Sequence, residues 1–167
     1  MYEIYKKSDI YVGCSEQRYR VMVLRDAFNL FASQHRASFV TPENIKLCVE
    51  VYKQYAEIFL KPDKQEEFKI ICINFNKWFL DPNYRIQLGR RFGININADT
   101  FQKMPSIGGG IFFDGTSMNG KAQKMRVLER WKECQEDPNY RAIFKDICLV
   151  ELSDAIFGQI VPVQWRP

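Results

Sequence analysis

The stretch Gly115-Thr116-Ser117-Met118-Asn119-Gly120-Lys121 has the glycine and lysine spacing of a loop that cradles phosphate. In such a loop the glycines turn backbone N–H groups toward the anion and the lysine reaches over it. One part of the pattern is missing, because Ala122 stands where a serine or threonine hydroxyl would hold magnesium. The 46 residues after Lys121 read as helices, which leaves no chain to build the parallel sheet of a nucleotide-binding fold. Gly115, Gly120 and Lys121 therefore support a phosphate- or nucleotide-binding enzyme only as a second alternative.

Other chemistries are excluded more firmly. His35 is the single histidine, so no site within one chain can assemble two imidazoles. The Arg-x4–6-His spacing of one class of helical ribonucleases is also absent, since Phe28, Asn29 and Leu30 occupy the positions where the arginine would stand. His35 is expected at a helix C-terminus, where a cation is favoured. The five cysteines, Cys14, Cys48, Cys72, Cys134 and Cys148, form no CxxC pair. Most of them read as small buried hydrophobes, in a reducing, cytoplasmic setting. Pro62-Asp63 with Glu67-x-Lys69 imitates a metal-nuclease signature, but its acidic positions are too close and fall in one expected helix. No catalytic residue, metal site or cofactor is expected.

Charge leaves a binding role open. The 24 basic and 20 acidic residues give a net charge of +4, and Lys61–Met104 alone carries eight basic and five acidic residues. At about 100° per residue, Arg18, Arg25, Asn29 and Arg36 would share one helical stripe. That stripe is either a plain solvent edge or, with Arg90 and Arg91, a face for nucleic acid.

The elements that would position these residues are mostly helical. At 167 residues, 46% hydrophobic and 14% aromatic, the chain suits one folded domain rather than disorder. No window holds the roughly 18 apolar residues of a membrane span, and 1–13 reads as an N-terminal arm without the apolar centre of a signal peptide. Ser15 is expected to cap a long helix to about Gln34, with Val21, Leu24, Phe28 and Phe31 at helical spacing. Thr41-Pro42-Glu43 opens a second helix that must stop before Pro62. Asp63 opens a third, with Phe68, Ile71, Cys72, Phe75, Trp78 and Phe79 on its apolar side. A strand over 68–75 competes, because Phe68–Ile73 is rich in β-branched residues.

Asp81-Pro82-Asn83-Tyr84-Arg85 recurs as Asp137-Pro138-Asn139-Tyr140-Arg141. At that offset Ile71 aligns with Val127, Phe75 with Trp131 and Leu88 with Phe144. Each copy reads as helix, Asp-Pro corner, helix, with aspartate capping the second helix and proline in its first turn. Tyr84, Arg85, Tyr140 and Arg141 are then either a repeated partner contact or packing for their own hairpins. The glycine-rich insert 94–119, irregular or a β-hairpin near 105–119, is the expected binding loop, with Phe112 and Phe113 as anchors. Gly158 suits a helix C-terminus, and 159–167 is an extended tail whose Trp165 either docks on the domain or contacts a partner.

The sequence thus predicts a single all-α domain over 1–167, with two similar αα-hairpins, N-terminal helices and that insert. The favoured function is a non-catalytic binding or adaptor protein acting through protein–protein contacts. Nucleic-acid binding through Arg18, Arg25, Arg36, Arg90 and Arg91 is the first alternative.

Overall fold

Arg20-Val21-Met22-Val23-Leu24 alternates between two environments, with Met22 and Leu24 buried and Val21 and Val23 exposed. That period of two belongs to a strand with one face on the core. In the computed structural model, which describes residues 19–96, 102 and 118–166, it is strand β1 (Arg20–Leu24). The expected helix from Ser15 to Gln34 is therefore corrected over its described part. Val21, Leu24, Phe28 and Phe31 keep their spacing, but it runs across a strand, a break at Arg25-Asp26 and helix α1 (Ala27–Arg36). The Asp26 carboxylate ends the ambiguity by capping α1, accepting the Asn29 backbone N–H at 2.9 Å.

Helix α2 (Ile45–Leu60) and helix α3 (Pro62–Glu67) follow, divided at Pro62 as expected. The third expected helix does not continue to Phe79. Lys69 takes a left-handed conformation, φ 51°, and the chain leaves it as strand β2 (Ile70–Asn74). A non-glycine residue there costs about 1–2 kcal/mol, which the following ladder must offset. Strand β2 runs parallel to β1, pairing Arg20 with Ile70 and Leu24 with Asn74. A parallel pair needs a long crossover, and α1, α2 and α3 provide it. Helical propensity over 68–74 loses to this distant partner.

Past β2 the expected corners appear. Helix α4 (Phe75–Leu80) meets helix α5 (Pro82–Arg91) at Asp81. Helix α6 (Trp131–Cys134) meets helix α7 (Pro138–Ile143) at Asp137. Asp81 and Asp137 each accept a backbone N–H, from Asn83 and Asn139 respectively, at 2.8 Å. The chain continues through helix α8 (Ile147–Phe157), which ends at Gly158 with φ 75°. The described residues thus form a mainly helical domain with one two-stranded sheet. Most of the expected insert, including Phe112, Phe113 and Gly115, lies outside the described residues, as does Arg18. Among the described residues no helix is long and apolar enough to cross a membrane.

The core forms where α1, α2, α7 and α8 meet. Phe28 stacks on Phe144 with ring centroids 4.4 Å apart, and Phe31, Tyr140, Leu149 and Val161 are fully buried around them. Each such side chain contributes about 1.5–3 kcal/mol by leaving water.

Candidate functional site

The C-terminal ends of β1 and β2 carry a buried polar cluster that sets the geometry beside it. Asp26 is fully buried and accepts from Asn29 Nδ2 at 3.0 Å and from Asn76 Nδ2 at 2.9 Å. Asn29 Nδ2 also donates to the Leu128 carbonyl at 3.1 Å, which ties α1 to the segment before α6. The Tyr52 hydroxyl donates to the Arg25 carbonyl at 3.1 Å, and burial pushes its ionisation upward. Ser153 of α8 accepts the Ala27 N–H at 3.0 Å. These bonds immobilise the turn that carries Arg25.

Arg25 is 9% exposed. One of its terminal nitrogens donates to Ser33 Oγ at 3.0 Å, another to the Val127 carbonyl, and its guanidinium lies 5.3 Å from the centre of the Phe75 ring. Its Nε finds no hydrogen-bond partner among the described residues. Arg130, 5% exposed, donates to the same Ser33 Oγ at 2.8 Å. Ser33 in turn donates to the Asn29 carbonyl at 2.9 Å, so its hydroxyl is fully committed. Burial lowers the Arg25 pKa to about 10, with Asp26 opposing and Arg130 adding to the shift.

Above this pair opens a groove of about 910 Å³. One wall is the outer side of α2, with Leu47, Val51 and Tyr55, and the other is Phe75, Trp78 and Phe79 of α4. Met125 and Val127 close one end, packed with Ala122 against Phe75 and Phe79. At the rim Leu47 stays 66% exposed and Val23 56% exposed. Apolar walls with a few convergent polar groups are the usual composition of a binding site.

Among the described residues, those singled out in the sequence fall elsewhere, with one exception. Tyr84 is spent on the fold, its hydroxyl accepting the Asn74 N–H at 3.0 Å. Arg85 is buried and donates to the Trp78 and Phe79 carbonyls at 2.6 and 3.1 Å, closing the last turn of α4. Tyr140 is fully buried with its hydroxyl on the Phe28 carbonyl at 2.8 Å. Trp165 docks among Phe28, Trp131, Tyr140 and Phe144, its indole N–H reaching the Gln135 carbonyl at 3.3 Å, and Arg141 lies over its ring.

The arginine stripe is corrected. Arg25 and Asn29 are buried rather than on a solvent edge, and Arg36 pairs with Glu133 at 2.6 Å. Arg90 and Arg91 are exposed at the end of α5. Gly120 sits in a turn with φ 78°, and Lys121 is followed by the single 3₁₀ turn Ala122–Lys124 where a phosphate loop would lead into an α-helix. His35 stands in the last turn of α1 as expected, its Nε2 2.8 Å from Asp137 Oδ2.

Arg25 is the residue that sequence reasoning named for a different reason. Arg130 closes the basic run Lys121, Lys124, Arg126, Arg130, and nothing in that run marks it as buried. The one available signal was Arg25-Asp26 at the close of a β-branched stretch, where a strand end and a helix cap coincide. Comparison with known proteins adds no relative: no family model, curated protein or solved structure matches the chain.

Proposed function

We propose that this chain is a non-catalytic binding module that receives an apolar segment of a partner protein in the groove between α2 and α4. The observation that carries this reading is the groove's aromatic and aliphatic wall together with its uncovered rim. A site for a small molecule buries most of its ligand within the pocket. Here Leu47 and Val23 remain exposed at the edge, and only an occupant that extends past the groove covers them. Cys48, Cys72, Cys134 and Cys148 are free thiols, which supports a reducing, cytoplasmic setting for such an adaptor.

Selection of short peptides from a displayed random library on the full chain tests the reading. Enriched peptides should carry aromatic or aliphatic anchors and lose at least about tenfold in affinity, roughly 1.4 kcal/mol, on Leu47→Glu and Trp78→Ala. Ile147→Glu is the matched control, since Ile147 is 68% exposed against 66% for Leu47 but lies on α8, outside the groove. Equal binding by the Leu47 and Ile147 variants refutes the reading. The nucleic-acid alternative keeps support from the exposed Arg90 and Arg91. It predicts affinity for RNA or DNA that falls steeply with salt, where the groove predicts little salt dependence.

A further inference from the structure

We propose that the partner segment binds as an extended strand along the edge of β1 that faces away from β2, making β1 the middle strand of three. The inference rests on the groove being a partner site and goes on to name the backbone form of its occupant. Among the described residues β2 is the one strand beside β1. Alternate residues of Val21–Leu24 therefore aim N–H and C=O away from the ladder, and no turn or loop bond takes them up. Edges of this kind are ordinarily blunted by a charge, a proline or a bulge. Here the register runs unbroken from Arg20 to Leu24, and 21–24 reads Val-Met-Val-Leu. The one charge of the strand, on Arg20, sends a nitrogen across the ladder to the Phe68 carbonyl at 3.1 Å.

The side chains agree with the backbone. Parallel strands are apolar on both faces where both are covered, and a pair of strands is too small a sheet to cover itself. Met22 and Leu24 meet the core, while Val21 and Val23 stay 46% and 56% exposed beside Ile71 and Ile73. A third strand with apolar residues at alternate positions extends that strip. Val23 and Leu24 also line the groove, so one extended segment can run from the edge of β1 onto the wall of Leu47 and Val51. Backbone bonds then give affinity, and the groove selects the side chains. A second copy of this chain fits worse. A two-fold pair of β1 strands is antiparallel, and centred on Met22 it sets Arg20 of each copy against Leu24 of the other. That places a cation at the apolar mouth of the groove, next to the buried Arg25.

The test uses peptides selected on the full wild-type chain, each remade with one backbone amide N-methylated at a time. Methylation at alternate positions should weaken binding about tenfold or more, because every second peptide N–H faces β1. At the positions between, the loss should stay below about twofold. Hydrogen exchange followed by NMR reads the other side of the ladder. The amides among Val21–Leu24 that exchange fast in the free chain should slow at least about tenfold with peptide bound. Losses at consecutive positions, or unchanged exchange over 21–24, while Leu47→Glu still blocks binding, overturn the strand and leave the groove reading standing. Absence of any groove-dependent peptide binding removes both. Protection of the same amides without peptide, rising with chain concentration alongside a dimer in sedimentation, gives the edge to a second copy and overturns the assignment.

Discussion

Replacing Asp26 with alanine removes the acceptor on which the ends of β1, α1 and α4 converge. Three donors lose it: the Asn29 backbone N–H, Asn29 Nδ2 and Asn76 Nδ2. Asn29 Nδ2 keeps the Leu128 carbonyl at 3.1 Å, so only two donors are stranded. A buried donor left without a partner costs about 1–3 kcal/mol, and loss of an N-cap about 1 kcal/mol, part of it the same Asn29 bond. The neighbouring Arg25 charge also loses the carboxylate that favours its ionised state. We expect Asp26→Ala to destabilise by about 4 kcal/mol, a large part of the roughly 5–15 kcal/mol that holds a domain folded. Asp26→Asn keeps one acceptor oxygen and should cost about half as much. Urea unfolding followed by far-ultraviolet circular dichroism reads both, with the dependence on denaturant unchanged if only the native state is affected. A loss below about 1 kcal/mol for Asp26→Ala, or asparagine as harmful as alanine, would refute the view that this carboxylate organises the site.

Two further outcomes follow from the geometry. Gly89→Ala should cost about 1–3 kcal/mol by overpacking, because a Cβ there would meet Ile96 Cγ1 at 2.6 Å and the Ile94 carbonyl oxygen at 2.9 Å; thermal unfolding measures it. The hydrogen bond from His35 holds the Asp137 carboxyl below its ordinary value of 3.8, with the Asn139 and Tyr140 N–H groups adding to the effect. Its folded pKa is depressed, so its contribution is present above pH 3.8 and is lost as pH falls through the folded value. The acid limb of a stability-against-pH curve should therefore flatten in Asp137→Asn, while His35→Gln should move the same limb toward higher pH.

What the sequence discloses depends on how local the deciding interaction is. The corners at Asp81 and Asp137 were readable because cap, proline and first turn lie within five residues of one another. The end of α2 before Pro62 and the stop at Gly158 are equally local. β1 was hidden because Val21 and Leu24 continue into Phe28 and Phe31 at a spacing that suits a helix. Its true partner, β2, lies fifty positions on in register, and no window around either strand contains the other. The same reason concealed the candidate site. Arg25 and Arg130 converge on Ser33, and their burial follows from the packing of α1, α4 and the 122–130 segment rather than from their neighbours in sequence.

The parallel ladder between Arg20–Leu24 and Ile70–Asn74 also sets an order of events during folding. Its rungs close loops of fifty residues, whereas each helical corner closes within a few. The hairpin modules can assemble early, and the ladder must wait for the intervening crossover to collapse. During that wait the valine-rich segment 20–24 exposes unmatched amide and carbonyl groups, the kind of edge that recruits a neighbouring molecule. Until Ile70–Asn74 docks beside it, segment 20–24 therefore has no ladder partner and is open to self-association.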